Sequence, residues 1–123
     1  MILDSNIIIY SSDKSNTKLQ SYLRINASII SASDITQLEV LGYHNLTPTD
    51  KLDFERFFSK IIIYEVSPIV IKRAIELRQQ KKMSMGDSII AATALIYNEP
   101  IFTHNEGDFK HIKGLIIIPL SSI

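Results

Sequence analysis

The sequence predicts an α/β fold, a central and mostly parallel sheet with helices on both faces. Two observations predict it. Short apolar runs of strand length alternate along the whole chain with amphipathic helical patterns, which is the signature of parallel βαβ construction. Right-handed crossovers then place helices on either side of one sheet. The composition agrees: of 123 residues 46% are apolar and 21% charged, enough apolar material for a core and too little charge for a disordered chain. There is no repeat, low-complexity tract or linker, so one domain over residues 1–123 is expected.

The elements are expected in the order β-α-β-α-α-β-α-α-β-α-β. A first strand covers Met1 to Leu3, followed by a turn or short helical segment through Ile7–Tyr10. Leu19, Tyr22 and Leu23 share one face of a helix from about Lys14 to Ile25. Ser28–Ala32 reads as the second strand. Ser33 or Asp34 then caps a helix to about His44, with Asp34 and Gln37 spaced as in a capping box. Thr47-Pro48 starts a helix carrying Leu52, Phe54, Phe57 and Phe58 to near Lys60, and these aromatics read as core. Ile61–Glu65 is the third strand. Ser67-Pro68 opens a helix ending near Lys81–Lys82, and Ser84 opens another through Tyr97. Ile101–Thr103 and Leu115–Ile118 complete the sheet, with a short helix around Asp108–Ile112 between them.

Composition also excludes functions. Without cysteine there is no disulfide, zinc–thiolate site or thiol nucleophile, which suits a reducing cytoplasm. The N-terminal Met-Ile-Leu-Asp does not read as a signal peptide, and no apolar run approaches the ~20 residues of a membrane span. Thirteen basic and 13 acidic side chains cancel. A nucleic-acid ligand would therefore be held by a local basic surface and a metal, not by bulk attraction.

Four acids stand where an open parallel sheet binds its ligands, outside the carboxyl ends of the strands. Asp4 directly follows the first strand and is itself followed by Ser5 and Asn6. Asp108 follows the fourth strand by a short loop. Glu39 and Asp87 lie in the helices after the second strand and before the fourth. Carboxylates gathered in one crevice repel one another, and a hard divalent cation, Mg²⁺ or Mn²⁺, relieves that repulsion. Such a centre supports phosphodiester hydrolysis by activated water without a nucleophilic side chain. Each acid also has a plainer reading: Ser84 to Asp87 as a capping box, Asp108 as a turn residue, Glu39 as a solvated helix residue.

At these residues the chain resembles the PIN domain family, specifically its VapC-type toxins. The resemblance is carried by Ile2-Leu3-Asp4-Ser5-Asn6, by Ser33–Leu41 around Glu39, by Asp87-Ser88-Ile89-Ile90-Ala91-Ala92-Thr93-Ala94 and by Phe102-Thr103-His104-Asn105-Glu106-Gly107-Asp108-Phe109. It implies a three-layer α/β/α fold and a metal-dependent endoribonuclease with Asp4, Glu39, Asp87 and Asp108 as metal-binding acids. It implies that Thr103 bears on the substrate phosphate or a metal-bound water, that Ser5 and Asn6 order the first acid's loop, and that Asn105 supports them. Homodimerisation and a small inhibitory antitoxin partner are also implied. His104 stands where the family is often basic, and Glu106 adds an acid to the loop.

Lys110, His111 and Lys113, just past Asp108, are expected as RNA contacts, with His104 beside them. Lys72, Arg73, Arg78, Lys81 and Lys82 lie on one helix and are a further candidate for RNA phosphate contact, though they read more simply as a solvated helix face. Two other readings compete. A haloacid-dehalogenase-like phosphatase needs a second aspartate where this chain has Asn6, and a catalytically inactive PIN-like binding module need not hold metal. A receiver-type domain lacks its paired acids here.

Overall fold

The computed structural model describes residues 1–123. Five short strands, β1 (Ile2–Leu3), β2 (Ser31–Ser33), β3 (Ile62–Tyr64), β4 (Ile101–Thr103) and β5 (Ile117–Pro119), form one sheet in the order β3-β2-β1-β4-β5. Every pairing is parallel, so the sheet is wholly and not just mostly parallel. The chain builds outward from β1 to β3, then crosses to the other side of β1 for β4 and β5. The strand order thus reverses between β1 and β4, where the carboxyl ends of two neighbouring strands open a crevice.

Alternation along the strands divides the interior into two layers. Ile2 and Ile101 face a core built with Val70, Leu77, Ile90 and Ala91 of α5 (Pro68–Gln80) and α6 (Met85–Ile96). Their neighbours Leu3 and Phe102 face the opposite core, with Ile7, Leu19, Val40, Phe54 and Phe58. Those come from α1 (Ser5–Ser11), α2 (Thr17–Ile25), α3 (Asp34–Leu41) and α4 (Pro48–Phe58). This is the three-layer α/β/α arrangement expected from the sequence. In α6 every residue from Ser88 to Ala94 is buried, and its small Ala91, Ala92 and Ala94 let the helix lie close to the sheet.

Several boundaries differ from expectation. The segment Ile7–Tyr10 lies within a full helix, α1, that starts at Ser5 because the Asp4 side chain caps it. Asp13 binds the Ser15 amide and hydroxyl in a turn, so α2 starts at Thr17 and not Lys14. Ala27–Ile29 is a 3₁₀ turn, and β2 begins only at Ser31, which pairs with Ile2. Ser33, not Asp34, caps α3, accepting from the Ile35 amide, while Gln37 merely binds the Asp34 side chain. That helix ends at Leu41 before Gly42, short of His44. Phe54 and Phe58 are core as expected, and Phe57 packs half-buried against it. The helix around Asp108–Ile112 is a 3₁₀ turn at Glu106–Asp108 instead. β5 is displaced to Ile117–Pro119 because Gly114, at φ +85°, turns the chain first; Pro119 is tolerated on this edge strand. The helix expected to reach Lys81–Lys82 stops at Gln80, and Lys81 is extended.

At the amino ends of the strands, Glu99 gathers three donors. Its carboxylate accepts from the Met1 amine at 2.6 Å, the Ser31 hydroxyl at 2.7 Å and the Tyr64 hydroxyl. Burial alone would raise the Glu99 pKa, but these hydrogen bonds and the amine's charge outweigh it and hold the group below its ordinary 4.5. Glu99 in turn pushes the Tyr64 hydroxyl up to about 12.

A carboxylate depressed on folding stabilises the fold above its unfolded pKa, and that stability is lost as pH falls through the folded value. Glu99→Gln is therefore expected to lower the melting temperature at neutral pH. The deficit relative to wild type should shrink below pH 4.5, as read by thermal denaturation across pH.

Candidate active site

Asp4 is the residue on which the site is built. It leaves the central strand at φ −73°, ψ 150° and caps α1, so its carboxylate points into the crevice between β1 and β4. It is 6% exposed. Oδ1 accepts from the Ser5 amide at 2.8 Å; Oδ2 accepts from the Thr103 hydroxyl at 2.7 Å and from Asn6 Nδ2 at 3.2 Å. The hydrogen-bond donors around Asp4 thus come from both strand ends.

Thr103 spends its hydroxyl hydrogen on Asp4 and accepts from the Asn105 amide at 2.9 Å. Its hydroxyl is fully buried and orients Asp4. Asn6 Oδ1 accepts from the His104 amide at 3.3 Å, tying the β1 and β4 loops together. The Ser5 hydroxyl donates to Glu39 Oε1 at 2.8 Å, which draws the second acid toward the first. Ser5 and Asn6 thus bond Asp4 directly, and Asn105 bonds Thr103 through its backbone amide.

Asp87 lies in the first turn of α6, where Ser84 Oγ accepts from its amide at 3.1 Å. Only this arm of the capping box is made, and the carboxylate faces a cleft of about 480 Å³. Asp108 lines the same cleft, with Lys81, Lys82, Met83, Ser84, Gly107 and His111. Glu39 is exposed and also borders a separate groove with Ile9, Tyr43 and Phe54.

The acids act on one another. Burial raises the Asp4 pKa above 3.8, and the charges of Glu39 and Asp108 raise it further against the pull of Thr103 and Ser5. Burial likewise raises Asp87, aided by the charges of Asp4 and Asp108 and opposed by the Ser84 hydroxyl. No basic group offsets this repulsion at Asp4 or Asp87. An all-oxygen set of mutually repelling carboxylates is the donor chemistry of a hard divalent cation. No three acidic or histidine side chains stand close enough together to form a finished cage. Asp108 and Glu39 are both exposed.

Sequence reasoning missed Gly86. Gly86 lets Glu39 lie against α6: a Cβ there would sit 2.8 Å from Glu39 Oε2. Its place beside Asp87 was the only signal. Lys81 and Lys82, read first as a solvated helix face and otherwise as phosphate contacts, are exposed, lie past the end of α5 and line the cleft. Their nearness to the Ser84 cap was the signal, because a helix must end before the next begins. Conversely, Lys110 and Lys113 do not line the cleft; of that expected trio only His111 does. His104 is exposed, its ring edge-on to Tyr10.

A wholly parallel five-stranded sheet with acidic side chains at its switch point is an open α/β domain. The PIN domain family matches residues 1–115, and the chain belongs to that family. The sequence matches none of the curated proteins. Among solved structures it is similar to a toxin-antitoxin complex from Klebsiella pneumoniae, at 27% identity and TM-score 0.75 over 94% of each chain. It shares the fold of VapBC2 from Rickettsia felis bound to a promoter DNA fragment, at 23% identity and TM-score 0.83 over 96% of each chain. It also shares the fold of FitAcB from Neisseria gonorrhoeae, at 19% identity and TM-score 0.79 over 99% of each chain. No helix is long and apolar enough to cross a membrane.

A carboxylate raised on folding is relieved as pH falls through its folded pKa, so its charge opposes folding at neutral pH. Asp87→Asn is expected to raise the metal-free melting temperature at pH 7 by about 1–3 °C, allowing for screening of a half-exposed group. A lower melting temperature in calorimetry would show that the carboxylate is structural.

Proposed function

We propose that this chain is a single-domain, divalent-metal-dependent endoribonuclease over residues 1–123, the toxin member of a toxin–antitoxin pair. The observation that carries this reading is Asp4, a buried carboxylate under repulsion from Glu39 and Asp108 at the reversal of strand order. Family membership supports the nuclease class. The toxin-antitoxin complexes among the structural neighbours support the antitoxin partner.

Asp4, Glu39, Asp87 and Asp108 would hold the cation, Mg²⁺ or Mn²⁺. When bound, it supplies activated water and neutralises the charge developing on the phosphate. The protein's own residues set the stage. Thr103, Ser5 and Asn6 fix the Asp4 carboxylate through their hydrogen bonds, and Ser5 passes that orientation to Glu39. Thr103 is a positioning residue on this reading, since its only hydrogen is already donated. The RNA backbone enters from the open side, past the exposed Asp108. The setting is cytoplasmic and the chain acts as a homodimer; exposed Ile71, Ile75 and Met85 on the α5–α6 flank support self-association. The missing finished cage favours one alternative, an inactive PIN-like binding module.

Purified wild-type protein should cut RNA with Mn²⁺ or Mg²⁺ and stop with EDTA, while Asp4→Asn should lose at least about 100-fold in rate. A folded wild type that neither cuts RNA nor binds Mn²⁺ in calorimetry would establish the binding module.

Gly86→Ala provides a second test. The added methyl meets the far end of a flexible carboxylate, so folding is spared and helix propensity favours alanine. Displacing Glu39 should reduce cleavage about 10- to 100-fold at unchanged or higher melting temperature. Full activity would remove Glu39 from the site.

A further inference from the structure

We propose that the groove between α1, α3 and α4 is a base-binding pocket, taking one unpaired RNA base that bears an exocyclic amino group and holding it with Tyr43, Asn45 and Asp50. The proposal rests on the nuclease reading above and names the part of the substrate that this second hollow receives.

The groove starts at the acid site and leads away from it. Glu39 borders it, with Oε1 held by the Ser5 hydroxyl from α1. Ile9 lies one helical turn, about 6 Å, beyond Ser5. Tyr43 follows Gly42, where α3 ends. A nucleotide whose phosphate lies at the acids can therefore reach the groove with a neighbouring base. The floor is apolar: Val40 and Phe54 are buried beneath it, and Ile9 is exposed at its side. Its volume, about 300 Å³, stands at the lower end of the range for small-molecule pockets.

Charge decides which part of an RNA can enter. Glu39 and Asp50 are the only charged side chains lining the groove. A phosphate is repelled there, so the backbone stays outside and the uncharged base goes in. Asp50 donates its amide to Thr47 Oγ1 at 3.1 Å, and no cation pairs with its carboxylate. An ionised carboxylate only accepts hydrogen bonds. It favours cytosine, adenine or guanine, each with an exocyclic amino group, over uracil, which has none.

Two further side chains suit a base. Asn45, exposed at the lip, offers a donor and an acceptor. Tyr43 is 54% exposed, although its ring meets that of His44 at 5.1 Å between centroids. An aromatic ring left open beside an apolar hollow is a stacking surface for an unpaired base. A ring, an amide and an unpaired carboxylate around so small a hollow match a base; a cationic protein segment needs the acids alone.

The test uses full-length Asp4→Asn protein with Mg²⁺ present, so that RNA binds without being cut. Labelled oligo(C) and oligo(U) of equal length carry the same backbone charge, and fluorescence anisotropy compares their affinities. Oligo(C) should bind about tenfold more tightly. Asp50→Asn presents an amide donor as well as an acceptor, and should shrink that preference to about twofold or less. Tyr43→Ala should weaken oligo(C) about tenfold and leave an abasic oligoribonucleotide of the same length unchanged, while Tyr43→Phe should keep the affinity.

In the cleaving protein both Asp50→Asn and Tyr43→Ala should raise KM more than they lower kcat. Equal affinity for oligo(C) and oligo(U), or no RNA binding by any form, would overturn the pocket. So would a preference that Asp50→Asn leaves unmoved, or an equal loss for the abasic strand on Tyr43→Ala; the groove would then be a face for a cationic protein segment. If wild type fails to cut while the base preference and its loss both hold, the nuclease reading falls and the pocket stands.

Discussion

The structure depends on keeping one carboxylate charged where it is least welcome. Asp4 sits at the end of the central strand with 6% of its surface exposed, beside the charges of Glu39 and Asp108. Desolvation and like charge both favour its neutral form. The surrounding residues are arranged to resist that. The Ser5 amide, Thr103 hydroxyl and Asn6 amide all donate to it, and the amide is available because Asp4 is also the cap of α1. One side chain therefore serves the helix start, the junction between β1 and β4, and the candidate metal site.

The same sheet handles an acid in the opposite way at its other end. Glu99 is partly buried too, yet the Met1 amine, Ser31 and Tyr64 hold its pKa below the ordinary value. Its pairing ties the chain's first residue to β2, β3 and the segment before β4. The contrast matters for interpretation. An acid with a cationic partner stabilises the fold. Acids without one oppose it, and their retention at the switch point needs another reason. The proposed metal site is that reason: stability is given up locally for cation affinity.

The fold was legible because its main signals are local. Alternating apolar runs gave the strands, and Ser67-Pro68 and Thr47-Pro48 marked helix starts that the structure keeps, with Ser67 Oγ and Thr47 Oγ1 as caps. The placement of Asp4 and Asp108 at one sheet edge followed from strand polarity alone. What failed needed three-dimensional information. β2 could not be placed because its start is set by pairing with Ile2, while Ser28 and Ile29 look equally strand-like but lie exposed. The β5 shift depends on a positive φ at Gly114. Glu39 was readable as an acid in the right helix, but its approach to Ser5 depends on the missing Cβ of Gly86, a contact between helices distant in sequence.

Lys81 and Lys82 are the most instructive residues, because their place turns on where a helix ends. Continued for two more residues, α5 would have kept both lysines on its solvated surface, and their charge would have meant little. Its end at Gln80 leaves them lining the same cleft as Asp87 and Asp108. In a chain whose charges sum to zero, that arrangement gives the molecule a local field its composition conceals. A polyanion approaching that cleft meets repulsion from Asp87 and Asp108 unless a cation is bound there, and attraction from the two lysines. On the proposed reading, cation occupancy and substrate placement are therefore coupled through the charges of one cleft.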